Sequence, residues 1–279
     1  MQRERVTDDI YIFTSELYAQ VTAGVIVTDH GVVVVDTLAY PNETRQIKQF
    51  ITERLQRDVR YVVNSHFHAD HTLGTCLFPE AQVIAHQNCY ELLDVRGRES
   101  LRNARENTLE LQDVTLVLPD IVFDKSLTLY LGNKTLKLSA SLGHSLDSII
   151  CHVVEDQVLF AADTIMPIPY FVDGDYKQFL VSLQNLNDGD YEHVIQGHGE
   201  VILKGEIREK LQSDTQYLLK LEENVKQALQ AEFVEQALNN ISIESCGKSR
   251  ILLNGTAGQL HRQNVIKLAE MLQNVATDE

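Results

Sequence analysis

The chain has 279 residues, 44% of them hydrophobic and 23% charged, which is ordinary globular usage and excludes a disordered or fibrous protein. Lys and Arg total 24 against 40 Asp and Glu, a formal net charge of −16, so a phosphate backbone is repelled and nucleic acid is excluded as the main partner. Cys76, Cys89, Cys151 and Cys246 show no CxxC spacing and no apolar run reaches signal-peptide or membrane-spanning length, so the expectation is a soluble, cytoplasmic protein with reduced thiols and no membrane partner. In chain order, Ile10–Phe13, Val21–Thr28 and Val32–Val35 are short β-branched runs, the last two joined by an Asp29-His30-Gly31 turn. From Glu43 to Leu55 the apolar residues Ile47, Phe50, Ile51 and Leu55 recur at three and four, which predicts a helix with Asn42 near its start. Val59–Val63 is a buried strand that runs into Asn64-Ser65-His66. Ala81–Ala85 is a further strand, and His86–Leu93 and Ser100–Leu111 are helices. The middle third is β-rich: Ile121–Phe123, Ser126–Leu131, Lys134–Ser139, Ser148–Val154 and Gln157–Phe160 are strands joined by tight turns such as Leu131-Gly132-Asn133 and Glu155-Asp156. A helix over Tyr176–Leu186 and a strand over Tyr191–Ile195 follow. From Leu203 to about Asn239 the chain is helical and charged, with Leu211, Leu218, Leu221, Val225 and Leu229 as its apolar stripe, and a last helix covers Gly258–Val275. Two β-rich halves, each followed by helix, predict a layered α/β body with a helical tail.

One hexapeptide carries most of the chemistry: His66-Phe67-His68-Ala69-Asp70-His71, directly after a strand. On a regular strand His66, His68 and Asp70 would share one face, and a loop would let His71 turn to a second position. Imidazole with carboxylate suits zinc, iron or manganese, and the lack of thiolates argues against a closed structural zinc site. Two more histidines lie beside glycine near strand ends, in Gly143-His144-Ser145 and Gly197-His198-Gly199. Phe160-Ala161-Ala162-Asp163-Thr164 sets a carboxylate just after an apolar strand. Each of these alone is an ordinary turn residue or cap. Their order behind the hexapeptide gives them weight together.

That series, with Asp36 in Val34-Val35-Asp36-Thr37, resembles the metallo-β-lactamase-fold hydrolase superfamily over about residues 10–200. The resemblance implies an α/β fold, a four-layer αββα sandwich with metals at one edge between the sheets. It implies a catalytic domain over 1–202 and a helical C-terminal extension over 203–279 packing on it. It further implies two divalent metal ions, zinc foremost with iron or manganese as alternatives. His66, His68 and His144 would hold the first ion, Asp70, His71 and His198 the second, with Asp163 bridging and Asp36 structural. The implied activity is hydrolysis by a metal-bridging hydroxide of a small-molecule ester, thioester or lactone. Asp70 would be the catalytic residue that orients the nucleophile and shuttles its proton.

Departures from subfamily patterns narrow this further. His68 stands where flavodiiron oxidoreductases carry glutamate. Met166 stands where a lactamase lysine is expected, which leaves β-lactam hydrolysis as a promiscuous activity. The segment Met166–Asp175 is apolar and then acidic, a poor match for the glutathione carboxylates of glyoxalase II. Ile168, Tyr170 and Phe171, with Phe67, are candidate substrate-lining residues, and ordinary packing against the helical tail is the equal alternative. An iron-dependent oxidoreductase resembling persulfide dioxygenase, with iron at His66, His144 and Asp163, is the rival class. Gly247-Lys248-Ser249 is no phosphate loop, because Ser242 stands where its first glycine is needed. Lys248, Arg250 and His261 are either caps over the active site or surface residues of a packing subdomain. The long helix from Leu203 is a candidate surface for a homo-oligomer.

Overall fold

The computed structural model describes residues 1–277, which form two compact units. The first contains Met1–Ser141, Asp147–Ala162 and Asp190–Lys204; the second gathers Leu142–Leu146, Asp163–Gly189 and the chain from Gly205 onward.

The first unit holds two sheets. One has the order β1 (Gln2–Arg5), β2 (Ile10–Thr14), β3 (Thr22–Thr28), β4 (Gly31–Val35), β5 (Val59–Val63), β6 (Gln82–His86) and β7 (Ile121–Phe123). Its strands are antiparallel as far as β4 and parallel from β4 to β7. The other consists of β8 (Ser126–Leu131), β9 (Lys134–Ala140), β10 (Ile149–Val153), β11 (Val158–Ala162), β12 (His193–Gln196) and β13 (Val201–Leu203). Within it only β11 and β12 run parallel.

The valine run of β4 shows why the sheets stack. Val33 and Val35 point into a core shared with Leu136, Leu138, Ile149, Cys151, Phe160 and Ile195 of the second sheet. Val32 and Val34 point the other way, onto Ile47, Ile51 and Phe78. A strand covered on both faces needs a continuous apolar run rather than alternation. The outer β8 does alternate, with Leu127, Leu129 and Leu131 turned inward and Tyr130 exposed. Gly24 in β3 permits the close approach of the sheets, since a Cβ there would lie 2.1 Å from Cε1 of Phe160.

Helix α1 (Pro41–Gln49) lies on the outer face of the first sheet. It begins two residues before the predicted Glu43, with Pro41 at its start, where the missing N–H costs nothing. It widens into a π-type segment over Phe50–Leu55 and stops at Gln56, which takes a left-handed φ of 53°. The short α2 (Ala69–Thr72), α3 (Gln87–Leu92) and α4 (Arg98–Asn107) complete the unit, α3 and α4 joined by a wide turn over Leu93–Gly97.

The second unit is built from α5 (Tyr176–Leu186), α6 (Lys204–Leu229), α7 (Val234–Asn239) and α8 (Ala257–Thr277). The α6 stripe of Leu211, Leu218, Leu221 and Val225 is buried, together with Tyr217. The predicted helical stretch to Asn239 breaks between α6 and α7 around the exposed Phe233, with no glycine or proline to mark the place. Deeper in the unit, Asp214 is fully buried between two lysines, at 2.5 Å from Lys210 and 2.7 Å from Lys248. Lys248 is thus an internal strut rather than a cap. His261 is buried too, whereas Arg250 is exposed and paired with Glu244. All four cysteines are free thiols, and burial pushes those of Cys89 and Cys151 well up. Among the described residues no helix is long and apolar enough to cross a membrane.

Candidate metal centre

The parallel pairs β4–β5 and β11–β12 deliver most of the candidate ligands from their carboxyl ends. Asp36 follows β4, and its N–H bonds the Val63 carbonyl of β5 at 2.9 Å. It takes a left-handed φ of 58°, which aims its carboxylate back across the strand end. Oδ1 accepts the Ser65 N–H at 2.8 Å; Oδ2 accepts the Ser65 hydroxyl at 2.7 Å and lies 2.8 Å from Nδ1 of His71. Asp36 is buried and spends its lone pairs on Ser65 and His71, which it holds in place.

The hexapeptide does not continue the strand. The chain bends after Asn64, and Ala69–Thr72 makes the single helical turn of α2, so His66, His68 and Asp70 are not arrayed on one face of a regular strand. The bend brings Nε2 of His66 to 2.9 Å from Nδ1 of His68. The helical turn carries Asp70 and His71. Asp70 Oδ2 lies 3.8 Å from Nε2 of His71 and 3.4 Å from Nε2 of His198, which follows β12. These three residues form one ligand-competent group inside the first unit.

Ring orientation is fixed from behind. Nδ1 of His71 faces the Asp36 carboxylate, and Nδ1 of His198 lies 2.8 Å from the Ala19 carbonyl. Ser65 gives its one hydroxyl proton to Asp36 and therefore accepts from Nδ1 of His66 at 2.9 Å. Each ring then carries its proton on Nδ1 and presents Nε2 as a lone pair, the arrangement in which imidazoles ligate metals. The loop behind His198 is strained: Ala19 and Gln20 take φ values of 42° and 54°, and Gln20 accepts the Gly199 N–H. The two sheets are stitched together at this same end, where Thr22 bonds the Gln196 and Gly197 carbonyls and the Ile149 N–H bonds the Ser65 carbonyl.

The donor set fits a divalent transition metal. Zinc–nitrogen bonds of about 2.0–2.1 Å in a tetrahedron set neighbouring ligand atoms about 3.3–3.4 Å apart. The His198–Asp70 distance of 3.4 Å meets that value, and the 3.8 Å to His71 needs only a small closure. His71 is fully buried and Asp70 is partly exposed, so the group has one open side.

The second unit holds its own pair. His144 Nε2 lies 3.3 Å from Asp163 Oδ2, and His144 Nδ1 lies 2.7 Å from the Tyr170 carbonyl. Gly143 precedes His144 with a φ of 135°, and its open α-carbon lets the chain lie against the backbone of Phe179 in α5. The pair again couples a backbone-anchored imidazole to a carboxylate.

Of the candidate substrate contacts, Ile168 and Phe171 are fully buried in the second unit and offer a ligand no surface. Tyr170 stays partly exposed, with its hydroxyl on Gln263. Phe67 packs with Ala85, Cys89 and Leu93 beneath the Arg96 guanidinium, and Met166 is buried. Sequence reasoning missed Ser65 and the carbonyls of Ala19 and Tyr170. Ser65 had a signal, being adjacent to His66; a backbone acceptor has none.

A family model for the metallo-β-lactamase superfamily matches residues 18–224. The Beta-lactamase-like protein 2 homolog of Caenorhabditis elegans is 25% identical over 199 residues, 71% of this chain and 61% of that protein, so the chain spans less than two thirds of that relative's length. Among solved structures, a metallo-β-lactamase from Pontibacter korlensis superposes with a TM-score of 0.61 at 19% identity, covering 76% of this chain and 98% of its own. A stereoselective inverting sec-alkylsulfatase from Pseudomonas sp. reaches 0.70 at 16% identity, covering 96% of this chain and half of its own. With the family match over most of its length, this chain is a member of the metallo-β-lactamase superfamily and carries its fold.

Proposed function

We propose that the protein is a dinuclear metal-dependent hydrolase of a small ester, thioester or lactone. The observation that carries this is the convergence of Asp70 Oδ2 on the Nε2 atoms of His71 and His198, with both Nδ1 atoms already committed behind. Asp70, His71 and His198 would hold one ion; the motif order assigns His66, His68 and His144 to the other, with Asp163 as a further ligand in that reading. That second assignment rests on the motif order and on the donor chemistry of each residue. Zinc suits this set best, with iron or manganese acceptable to the same donors.

When bound, the ions supply Lewis acidity and a water acidified towards neutrality. The residues do the rest. Asp70 would ligate through one carboxylate oxygen and use the other to orient the attacking water and take its proton, a role that suits its partial exposure. Asp36, Ser65 and the Ala19 carbonyl hold the imidazoles in one tautomer, so no reorganisation is needed as negative charge develops. Tyr170 is the remaining substrate contact among the candidates.

A sulfate ester is the second substrate class. The sec-alkylsulfatase superposes on 96% of this chain, including the C-terminal helices, where the lactamase covers 76%. The test is a panel of esters, thioesters, lactones, sec-alkyl sulfates and β-lactams, with oxygen uptake on a persulfide as the oxidoreductase arm. The expected result is hydrolysis of an ester, thioester or lactone, reduced about 1,000-fold by Asp70→Ala with the circular dichroism unchanged. Persulfide-dependent oxygen uptake without hydrolysis, or hydrolysis indifferent to Asp70→Ala, would overturn it. Cytoplasmic location and self-association through the C-terminal helices belong to the same proposal. With the α6 stripe buried, such an interface would use Leu219 and Ile266, which are 43% and 44% exposed.

A further inference from the structure

The segment that follows Asp163 has little means of holding itself. Pro167 and Pro169 lack N–H groups, so Met166–Phe171 cannot pair as a strand or coil as a helix. Side chains from the C-terminal helices hold it instead. Lys210 of α6 donates to the Met166 carbonyl at 2.6 Å, and Asn264 of α8 grips the backbone on both sides of Tyr170.

Asn264 is fully buried, and its amide makes three hydrogen bonds. Nδ2 donates to the Pro169 carbonyl at 2.7 Å and to the Tyr217 hydroxyl at 3.1 Å, while Oδ1 accepts the Phe171 N–H at 3.2 Å. The orientation of the amide is unambiguous, because the Pro169 carbonyl can only accept and the Phe171 N–H can only donate. The Phe171 N–H and the Tyr170 carbonyl belong to one planar peptide group. That carbonyl is the acceptor for Nδ1 of His144. Asn264 and His144 therefore hold opposite ends of the same peptide plane, and a rotation of that plane breaks both bonds at once.

We propose that Asn264 is a positioning residue for the metal ligand His144, acting through the Tyr170–Phe171 peptide group. The C-terminal extension thereby supports the candidate ligand His144 through the backbone of Tyr170–Phe171. The inference rests on the proposed role of His144 as a ligand. The chain of bonds continues behind Asn264: Tyr217 donates to Nδ1 of His261, and His261 donates from Nε2 to the Ile241 carbonyl. Burial keeps this chain in one direction, since it lowers the His261 pKa and so favours the neutral ring, and it raises the Tyr217 pKa and so keeps the phenol protonated. A directed, fully satisfied buried network is stiff, and losing one member leaves several buried groups without partners.

The experiment is zinc titration of the full-length protein against a chelator of known affinity, resolving two binding events, with thermal unfolding of the zinc-free form measured in parallel. His144→Ala should weaken one event; if it weakens neither, the assignment of His144 as a ligand fails, whatever Asn264 does. Asn264→Leu, close in shape but without the three hydrogen bonds, should weaken that same event by about ten- to a hundredfold and leave the other alone. Leu218→Ala, a buried α6 cavity off this path, is the control for lost stability and should leave both events unchanged. If His144→Ala weakens an event and Asn264→Leu stays within twofold of wild type, the ligand stands and the positioning role is overturned. It is equally overturned if Leu218→Ala weakens the event as much as Asn264→Leu. Should Asn264→Leu fail to fold, Asn264→Ser, which keeps one hydroxyl, carries the test with the same criteria and an expected loss of about threefold or more.

Discussion

In the first unit His71 and His198 meet Asp70 with their Nδ1 atoms held by Asp36 and by the Ala19 carbonyl; in the second, His144 faces Asp163 with its Nδ1 held by the Tyr170 carbonyl. The supports in the first unit are parts of the sandwich itself. Asp36 ends a central strand, and Ala19 sits in the turn between two neighbouring strands, bonded to the chain end that carries His198. The support in the second unit is a proline-flanked segment with no ladder of its own, placed by side chains from α6 and α8. Ligands on strand ends inherit their precision from the sheet. A ligand on an irregular segment has to be aimed by whatever packs behind it.

That contrast is open to attack from several sides, and the largest effect belongs to Asp70, proposed to orient the nucleophile, whose loss should remove activity without touching either support. Next comes Asp214→Asn, which leaves the ammonium groups of Lys210 and Lys248 buried against a neutral amide. It should cost about 3 kcal/mol or more in urea unfolding. Because Lys210 also bonds the Met166 carbonyl, the His144 zinc event should weaken while the Asp70–His71–His198 event holds. Equal weakening of both would break the comparison.

Asp36→Asn is the mirror experiment. Asparagine tolerates the left-handed backbone, but it cannot accept from Ser65 and His71 together on one oxygen as strongly as a carboxylate. The trio should lose about ten- to a hundredfold in zinc affinity, with the His144 event spared to within a fewfold. A uniform loss would show that the two supports are not separable.

The smallest effect is one of pH. Burial lowers the Lys210 pKa to about 8, against about 10.4 for an unfolded lysine. Between those values the unfolded chain binds more protons than the native one, so this group makes stability rise as pH climbs from 8 towards 10. The buried Cys89 and Cys151 thiols pull in the opposite direction, so the comparison has to be made against Lys210→Met. The stability of wild type relative to that variant should increase from pH 7.5 to 9.5, and a decrease would refute the assignment.

The candidate ligands were legible in the sequence because imidazole and carboxylate at strand ends are chemically conspicuous, and Val32–Val35 because burial on both faces demands an unbroken apolar run. β1 was not legible: all four residues of Gln2–Arg5 are exposed and show no pattern, only an edge to pair with. β13 is three residues long and follows a glycine turn, too short for any period. The bend and helical turn through His66–Thr72 had no periodic signal, because the path of the backbone there accompanies the bonds by which Asp36 gathers Ser65 and His71. Ile168 and Phe171 were ambiguous, since residues that line a pocket and residues that fill a core share one composition. The groups that aim the histidines were invisible. His198 and Ala19 lie 179 positions apart, and a carbonyl or a single buried asparagine such as Asn264 writes no motif.

The most direct measurement is elemental analysis of the purified, untagged protein beside His198→Ala. Two divalent ions per chain in the wild type, chiefly zinc, and close to one in His198→Ala is the result expected of a site built on Asp70, His71 and His198. A wild type without metal, a single iron per chain, or an unchanged count in His198→Ala would contradict it.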